Sequence, residues 1–309
     1  MKRAMRGAES APGAGADLAF DEAFLRRLER MSLRLGRVSQ TVGGRPGSRR
    51  VPAADFIDHR PYSPGDDLRH IDWNAAARHD EVFVKVGRVM QSADVQLVLD
   101  ASLSMAVLPL KWQRARQLAA ALGWMSLAHG DRVGLTVFPQ HPDDAPAGAS
   151  RGIGPAREML RRLARLEPVP SESTALTPVL ERSIRGRPGG LVVVISDFWL
   201  VDDLDRALAL APLPRWNLLL LQVLDPAELR PELDGAFELI DAESGARRSL
   251  NVDAAMRAAY RQALLRRLEL LGRVASRHGA SHSLLPASWS IEQAIIPYLQ
   301  RRAILEGRA

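Results

Sequence analysis

The chain of 309 residues contains no cysteine, which excludes disulfide bridges, zinc–thiolate sites, iron–sulfur clusters and thiol catalysis together. It also lacks a long hydrophobic run. The longest apolar stretches, such as residues 218–221, fall far short of the ~20 residues that a membrane-spanning helix requires. Residues 1–16 carry basic side chains but no apolar core of a secretory signal. We therefore expect a cytoplasmic protein without membrane insertion.

Lysine is scarce as well, since Lys2, Lys85 and Lys111 stand among arginines that supply the other positive charges. The net charge of +6 and the isoelectric point of about 10.3 are values also found in nucleic-acid-binding proteins. The arginines, however, are interspersed with Asp and Glu and form no basic stripe, which is typical of an ordinary solvated surface. We therefore predict that nucleic acid is not a partner.

The composition that remains is that of a soluble globular protein, with 46% hydrophobic and 25% charged residues. Residues 1–20 are predicted to be a disordered tail, and residues 21–90 to form an N-terminal segment. After the glycine-rich stretch 43–47, we expect irregular structure with short strands up to about residue 90. Before it, apolar residues at helical spacing predict one amphipathic helix: Phe24, Leu28, Met31 and Leu35.

Residues 91–309 show a regular alternation of apolar strands and amphipathic helices. Unbroken apolar strands between helices indicate a parallel sheet covered on both faces. The predicted fold class is therefore α/β, a doubly wound, mostly parallel sheet preceded by the N-terminal helix and an irregular extension. A hairpin inserted near 236–250, with its turn at 243–245, and a long helix over 253–277 complete the pattern. The predicted strands are 95–99, 132–138, 191–195 and 218–224, and the predicted shorter helices are 112–128, 156–166, 176–184 and 204–210.

Polar side chains follow two of these strands where they end. Asp100, Ser102 and Ser104 come directly after the first strand, and Asp197 follows the third. Thr174 belongs to a polar loop between them. Because ligands of an open parallel sheet bind outside the carboxyl ends of its strands, we expect these five side chains to converge at one edge.

The pattern Asp-x-Ser-x-Ser, followed by a Thr and by an Asp after a later strand, resembles the metal-ion-dependent adhesion site of von Willebrand factor A domains. The resemblance implies that Ser102, Ser104 and Thr174 offer hydroxyl oxygens to Mg²⁺ or Mn²⁺, while Asp100 and Asp197 act through water or by accepting hydrogen bonds. Mg²⁺ prefers hard oxygen ligands and keeps bound waters, so such a set is chemically suitable. Neutral hydroxyls leave much of the ion's charge uncancelled, and a carboxylate from another protein can then complete the shell. The alternative is a metal-free loop of hydrogen-bonded hydroxyls.

A second motif precedes the sheet, in the segment 59–73 with the sequence HRPYSPGDDLRHIDW. Together with Lys111 and the later segments 130–134 and 241–245, it resembles the family known as domain of unknown function 58, whose members carry a von Willebrand factor A-like domain. The resemblance covers the chain from about residue 20 to its end. It implies that the protein works with a MoxR-type AAA+ ATPase in assembling or remodelling other proteins, with the ATPase or its client as the bound partner.

Charged residues of both signs crowd this motif and the residues after it, and two interpretations of them are open. They form either a salt-bridged loop, anchored by a tryptophan, that fixes the N-terminal segment to the sheet, or a surface that recognises a partner. We favour the structural interpretation. The residues concerned are Arg60, Asp66, Asp67, Arg69, Asp72, Trp73 and Arg78.

Two functions compete. The first is a non-catalytic interaction module that binds a partner protein through the ion, and the alternative is a metal-dependent hydrolase with Asp100 at its centre. Ser102 stands where haloacid-dehalogenase-type phosphohydrolases carry a second Asp, and the sequence has no HExxH pair or Walker loop. The seven histidines are absent from the three metal loops, and Lys111 is expected to form a salt bridge at the start of the helix after Asp100. We therefore predict a binding protein and not an enzyme.

Overall fold

The structure is a computed structural model that describes residues 23–28, 30, 56–63, 71–78, 82–87, 93–139, 150–170, 175–199, 201 and 203–300. Several predictions fall outside these residues and are not tested by the structure. They concern the tail 1–20, the side chain of Arg60, the loop residues Asp66, Asp67 and Arg69, and the candidate ligand Thr174.

The described residues form strands and helices at the places that the sequence predicts after residue 90, with ends that differ by up to three residues. The strands are β1 (Phe56–Pro61), β2 (Phe83–Gly87), β3 (Asp94–Asp100), β4 (Arg132–Phe138), β5 (Gly190–Ser196), β6 (Trp216–Leu224), β7 (Gly235–Ile240), β8 (Arg247–Val252) and β9 (Ser281–Pro286). The helices are α1 (residues 23–28), α2 (Trp73–Ala76), α3 (Leu103–Ala106), α4 (Pro109–Ala128), α5 (Ile153–Arg165), α6 (Thr177–Ile184), α7 (Leu204–Ala209), α8 (Pro226–Leu229), α9 (Ala254–Arg277) and α10 (Ile291–Ala294). No helix in this described part of the chain combines the length and hydrophobicity of a membrane span.

Five of the strands form a parallel sheet in the order β4-β3-β5-β6-β9. The chain builds β3, places β4 on one side of it, and then returns to add β5, β6 and β9 on the other side. Such a reversal is the topological switch point at which open α/β sheets bind ligands, and here it lies between β3 and β5. The fold class predicted from the sequence, a doubly wound and mostly parallel α/β sheet, is confirmed.

The core lies on both faces of this sheet, because alternate residues of each buried strand point to opposite sides. On one face, Leu97 and Leu99 belong to a cluster with α4, α5 and α10. On the other face, Val98 packs in a second cluster with α6, α7 and α9. The loops at the carboxyl ends of β3 and β5 therefore stand on a rigid, fully buried platform.

Two antiparallel strand pairs lie outside the parallel sheet, β1 with β2 and β7 with β8. The β7–β8 hairpin occupies the segment in which the sequence predicts a hairpin. Most of its residues are exposed, including the apolar Leu239 and Ile240. Because an isolated two-stranded hairpin is marginally stable in water, the position of this hairpin depends on contacts made by its turn and its flanks.

Helix α2 corrects one part of the interpretation of the charged N-terminal motif, the role of Trp73. The prediction that Trp73 anchors this segment is wrong, because Trp73 is 68% exposed and the four-residue α2 has no buried face on which an anchor could pack. Asp72 instead acts as the N-cap of α2 and accepts hydrogen bonds from the amides of Asn74 (3.0 Å) and Ala75 (3.2 Å). Arg78 Nε donates to the Asn74 carbonyl at 3.1 Å, which closes the other end of the same turn.

Candidate metal centre

Two loops meet at the switch point between β3 and β5. These strands are hydrogen-bonded neighbours in parallel register, with Leu99 opposite Ile195. Asp100 is the last residue of β3 and Asp197 is the first residue after β5, so the two side chains leave the same edge of the sheet. The structure thus brings together the two carboxylates that the sequence places at strand ends.

The segment 100–104 folds around the carboxylate of Asp100. Oδ1 of Asp100 accepts a hydrogen bond from the Ser102 amide at 2.9 Å, which turns the chain after β3. Ser102 is the N-cap residue of α3, and its Oγ lies 2.9 Å from Ser104 Oγ. Ser102 is buried, whereas Ser104 is half-buried. Three of the five predicted residues are therefore in contact, with two hydroxyl oxygens side by side.

Asp100 lies where a carboxylate charge is disfavoured, since the residue is only 2% exposed. Burial and the nearby charge of Asp197 raise its pKa above the ordinary value of 3.8, although hydrogen bonds from Ser196 and Ser102 oppose this shift. The Ser196 hydroxyl donates to Oδ2 of Asp100 at 2.5 Å. A cation beside Asp100 would favour its charged form and would therefore lower this pKa.

Lys111 neutralises the second carboxylate of the site. Its ammonium group donates to Asp197 Oδ2 at 3.0 Å and to Glu228 Oε1 at 2.7 Å, and the lysine side chain is 1% exposed. The salt bridge predicted for Lys111 is confirmed. Burial would lower the pKa of Lys111, but the charges of Asp197 and Glu228 outweigh it and raise the pKa above its ordinary value of 10.5. The lysine therefore stays charged and fixes Asp197 beside β3.

The loop after β5 is held by residues of two neighbouring elements, β6 and α9. Gln222 on β6 donates to the Asp197 carbonyl at 2.8 Å, and its own amide oxygen lies 3.0 Å from Nε2 of His282 on β9. Arg267 on α9 donates to the Phe198 carbonyl at 2.6 Å. Phe198 has a left-handed φ of 57°, which is uncommon outside glycine. These contacts hold an unfavourable backbone conformation in place, as is frequent at binding sites.

The described residues on either side of 171–174 are hydrogen-bonded to the loops that follow β3 and β5. Before this stretch, the Val169 amide donates to the Ala101 carbonyl at 2.8 Å. After it, the carboxylate of Asp203, in the loop that follows β5, accepts hydrogen bonds from two amides at the start of α6, both at 2.8 Å. The chain on both flanks of Thr174 therefore contacts segments next to Asp100 and Asp197.

We expect Asp203→Ala to lower the free energy of unfolding by about 1 kcal/mol, because the amides of Leu176 and Thr177 lose their acceptor. Burial would raise the pKa of Asp203, but the hydrogen bonds that it accepts outweigh this effect and lower the pKa below 3.8. This stabilisation is therefore fully present above pH 3.8 and is lost as the pH falls through the lowered pKa of Asp203.

Urea titrations at neutral and at acidic pH measure both effects. Asp205→Ala, which removes the exposed partner of Arg277, should change little at neutral pH, and an equal loss in both variants would contradict the capping role.

The candidate centre is built from hydroxyl and carboxylate oxygens. Within the described residues, no three His, Asp or Glu side chains cluster as a metal site. The set instead combines the hydroxyls of Ser102 and Ser104 with the carboxylates of Asp100 and Asp197, and Mg²⁺ prefers such hard oxygens together with retained waters. The buried ion pairs of the described residues at this edge neutralise Asp197 but not Asp100. A buried carboxylate beside two hydroxyls, still without a compensating charge, fits a divalent cation.

The structure brings to this site two carboxylates to which the sequence assigns no role. Glu228 at α8 pairs with Lys111, from which it is 117 residues away in the chain. Glu243, at the turn of the β7–β8 hairpin, accepts a hydrogen bond from the Ser104 amide at 2.7 Å, across 139 residues. Contacts over such separations depend on the tertiary fold, and no local spacing in the sequence indicates them.

The chain is similar to known proteins in sequence and in structure. The model of the family described as "Protein of unknown function DUF58" matches residues 58–269. An uncharacterized protein of Mycobacterium bovis and one of Mycobacterium tuberculosis are each 30% identical over 220 residues, which is 67% of this chain and 66% of each relative. The chain thus spans slightly less than two thirds of the length of these curated relatives. The solved structure of the conserved hypothetical protein BatB from Bacteroides thetaiotaomicron is similar with a TM-score of 0.44 and 16% identity, over 69% of this chain and 98% of that chain.

Proposed function

This chain belongs to the DUF58 family of proteins of unknown function, and we propose that it is a non-catalytic interaction module that binds a partner protein through a Mg²⁺ or Mn²⁺ ion. Asp100, Ser102, Ser104 and Asp197 would hold the ion, with Thr174 as the fifth member of the set. When bound, the ion supplies positive charge with an open coordination position for an acidic side chain of the partner.

The observation that carries this proposal is the convergence of two hydroxyls and a buried carboxylate at the switch point. Ser102 Oγ and Ser104 Oγ lie 2.9 Å apart, and the Ser102 amide is bonded to Asp100. Neutral hydroxyl ligands cancel little of an ion's charge, so a partner carboxylate gains from the charge that remains. Ser104 is half-buried, which leaves this side of the site within reach of a partner. The contacts of Val169 with Ala101 and of Leu176 with Asp203 support the inclusion of the stretch 171–174, which carries Thr174.

The same geometry supports binding over hydrolysis. Both carboxylate oxygens of Asp100 accept hydrogen bonds, from the Ser102 amide and the Ser196 hydroxyl, and this engagement makes Asp100 a weaker nucleophile. Lys111 is held between two carboxylates, and His282 contacts a glutamine side chain. Among the described residues, neither of these two groups is placed to act as a general base beside Asp100.

The partner that we propose is a MoxR-type AAA+ ATPase or its client, in assembly or remodelling of other proteins. The sequence resemblance of the N-terminal motif supports this choice, and the chemistry of the site adds that the partner contributes an acidic residue. A MoxR-type AAA+ ATPase of the same organism is therefore the first protein to test.

We expect the purified ATPase to bind the immobilised chain in Mg²⁺ and to lose most of its affinity in EDTA, both without nucleotide. Ser102→Ala should abolish the Mg²⁺-dependent part, because it removes a hydroxyl ligand, while Ser249→Ala on the exposed face of β8 should bind like wild type. Biolayer interferometry measures these affinities. Binding that survives both EDTA and Ser102→Ala would overturn ion-mediated recognition.

The purified chain should also show no Mg²⁺-dependent hydrolysis of p-nitrophenyl phosphate, because both oxygens of Asp100 are engaged in hydrogen bonds and neither Lys111 nor His282 is placed as a general base. Turnover is measured from the absorbance of the released nitrophenolate. Hydrolysis above background that Asp100→Asn abolishes would establish the alternative function, a metal-dependent hydrolase with Asp100 at its centre.

A further inference from the structure

The turn of the β7–β8 hairpin reaches the candidate metal centre. Oε1 of Glu243 accepts a hydrogen bond from the Ser104 amide at 2.7 Å. Ser104 Oγ is in turn 2.9 Å from Ser102 Oγ. The carboxylate of Glu243 is therefore hydrogen-bonded to the backbone of a residue that supplies one of the two hydroxyls. Asp241 organises the turn, since its Oδ1 accepts hydrogen bonds from the amides of Glu243 (3.2 Å) and Ser244 (2.8 Å). The hairpin thus presents one carboxylate to the centre in a defined position.

We infer that Glu243 is an internal ligand of the ion and fills the coordination position that an acidic side chain of the partner takes over on binding. This inference rests on the proposed function. The amide nitrogen and the hydroxyl oxygen of one serine are separated by only three covalent bonds. A carboxylate that is hydrogen-bonded to the Ser104 amide therefore lies within reach of an ion bound to the Ser104 hydroxyl. The ion attracts this carboxylate more strongly than the neutral amide does.

The exposed strands of the hairpin suit a ligand, Glu243, that must dissociate from the ion when the partner binds. Both strands are largely exposed, and Leu239 (42%) and Ile240 (58%) contribute little to the core. A two-stranded ribbon of this kind gains little stability from its own pairing. The strands themselves therefore oppose movement of the turn only weakly when a competing carboxylate arrives.

The exchange also preserves the charge of the site. One carboxylate replaces another, so the ion keeps the same number of anionic ligands before and after the partner binds. The ion then contributes to partner affinity only the difference between its interaction with the partner carboxylate and its interaction with Glu243. Contacts made by the rest of the partner surface therefore determine which acidic protein binds. The hairpin thereby excludes solitary carboxylates, such as small organic acids, that have no further contacts to offer.

A purely structural role for Glu243 would be to tether the hairpin by its bond to the Ser104 amide. The conservative variant Glu243→Gln separates the two roles. The glutamine carbonyl still accepts the hydrogen bond and keeps the tether, but a neutral amide is a much weaker ligand for a divalent cation. Glu238→Gln is the matched control, because it removes an exposed carboxylate of the same hairpin that pairs with Arg247.

The test uses Mn²⁺ alone as the probe, with water-proton relaxation to report its affinity and the number of waters in its inner shell. We expect Glu243→Gln to bind Mn²⁺ several-fold more weakly and to carry about one more coordinated water than wild type, since water takes the vacated position. Glu238→Gln should equal wild type, and equal melting temperatures without metal show that the variants are folded.

Two outcomes would overturn the inference, and they are distinguishable. If Mn²⁺ binds wild type and Glu243→Gln with the same affinity and the same hydration, Glu243 is only a tether, and the proposed function stands. If wild type binds no Mn²⁺, the internal ligand and the ion-mediated function both fail.

Discussion

Replacing Lys111 with methionine should lower the free energy of unfolding of the metal-free protein by roughly 3–5 kcal/mol, the cost of removing one partner of a buried ion pair. Lys111 is 1% exposed and donates to both Asp197 and Glu228. Methionine preserves most of the length of the lysine side chain, so the variant removes the charge with little loss of packing. The cost arises because the buried Asp197 and the half-buried Glu228 both stay without their cation.

Arg185→Met is the matched control for this prediction. It also takes a cation from a carboxylate, that of Glu181 at 2.7 Å, but these side chains are 74% and 55% exposed. Such a surface pair contributes only about 0.3–0.5 kcal/mol. Urea titrations of the three proteins measure the difference in the free energy of unfolding. A similar small loss in both variants would show that the Lys111 ion pair contributes no more than an exposed one. Adding Asp197→Asn to Lys111→Met should recover part of the stability, because it removes one of the stranded charges.

Saturating Mg²⁺ should raise the melting temperature of the wild-type protein. An ion bound only by the folded state, at a hundred times its dissociation constant, stabilises it by about 2.7 kcal/mol, which corresponds to a shift of about 5–10 °C for a domain of this size. Ser102→Ala and Asp100→Ala should abolish the shift, because they remove a hydroxyl and the carboxylate that organises the segment 100–104. Differential scanning calorimetry with and without metal measures it.

Ser249→Ala on the exposed face of β8 should keep the full shift, which separates loss of the site from a general effect of removing a hydroxyl. A wild-type melting curve that stays unmoved in millimolar Mg²⁺ and Mn²⁺ would show that the hydroxyl set holds no ion. A shift that persists unchanged in Ser102→Ala would place the metal elsewhere.

Much of the fold could be predicted from the sequence because its signals are local. The strand 191–195, for example, is an unbroken apolar run in the sequence, and it is β5 with buried residues throughout that range. Its position in the chain between helices is sufficient to indicate a parallel sheet covered on both faces. The ends of such strands also locate the polar loops, which is why the sequence alone predicts Asp100 and Asp197 at one edge of the sheet.

The remainder of the site depends on tertiary placement. Lys111 could be assigned a salt bridge because it lies in the first turn of α4, close in sequence to Asp100, but its second partner, Glu228, lies 117 residues further along the chain. Glu243 belongs to a recognisable motif, yet nothing in that motif indicates that its hairpin folds back onto Ser104. The error over Trp73 has a related origin, since an aromatic residue among charges suggests burial, whereas a short capped helix without a buried face leaves it exposed.

The most direct measurement of the central claim is the anomalous difference density of Mn²⁺ in crystals of the wild-type protein grown with that ion. We expect one strong peak per chain at the carboxyl ends of β3 and β5, in contact with the hydroxyls of Ser102 and Ser104. Crystals of Ser102→Ala grown in the same way should lack it. Wild-type crystals with no peak at this position, or with Mn²⁺ only at other sites, would contradict the assignment of the metal centre.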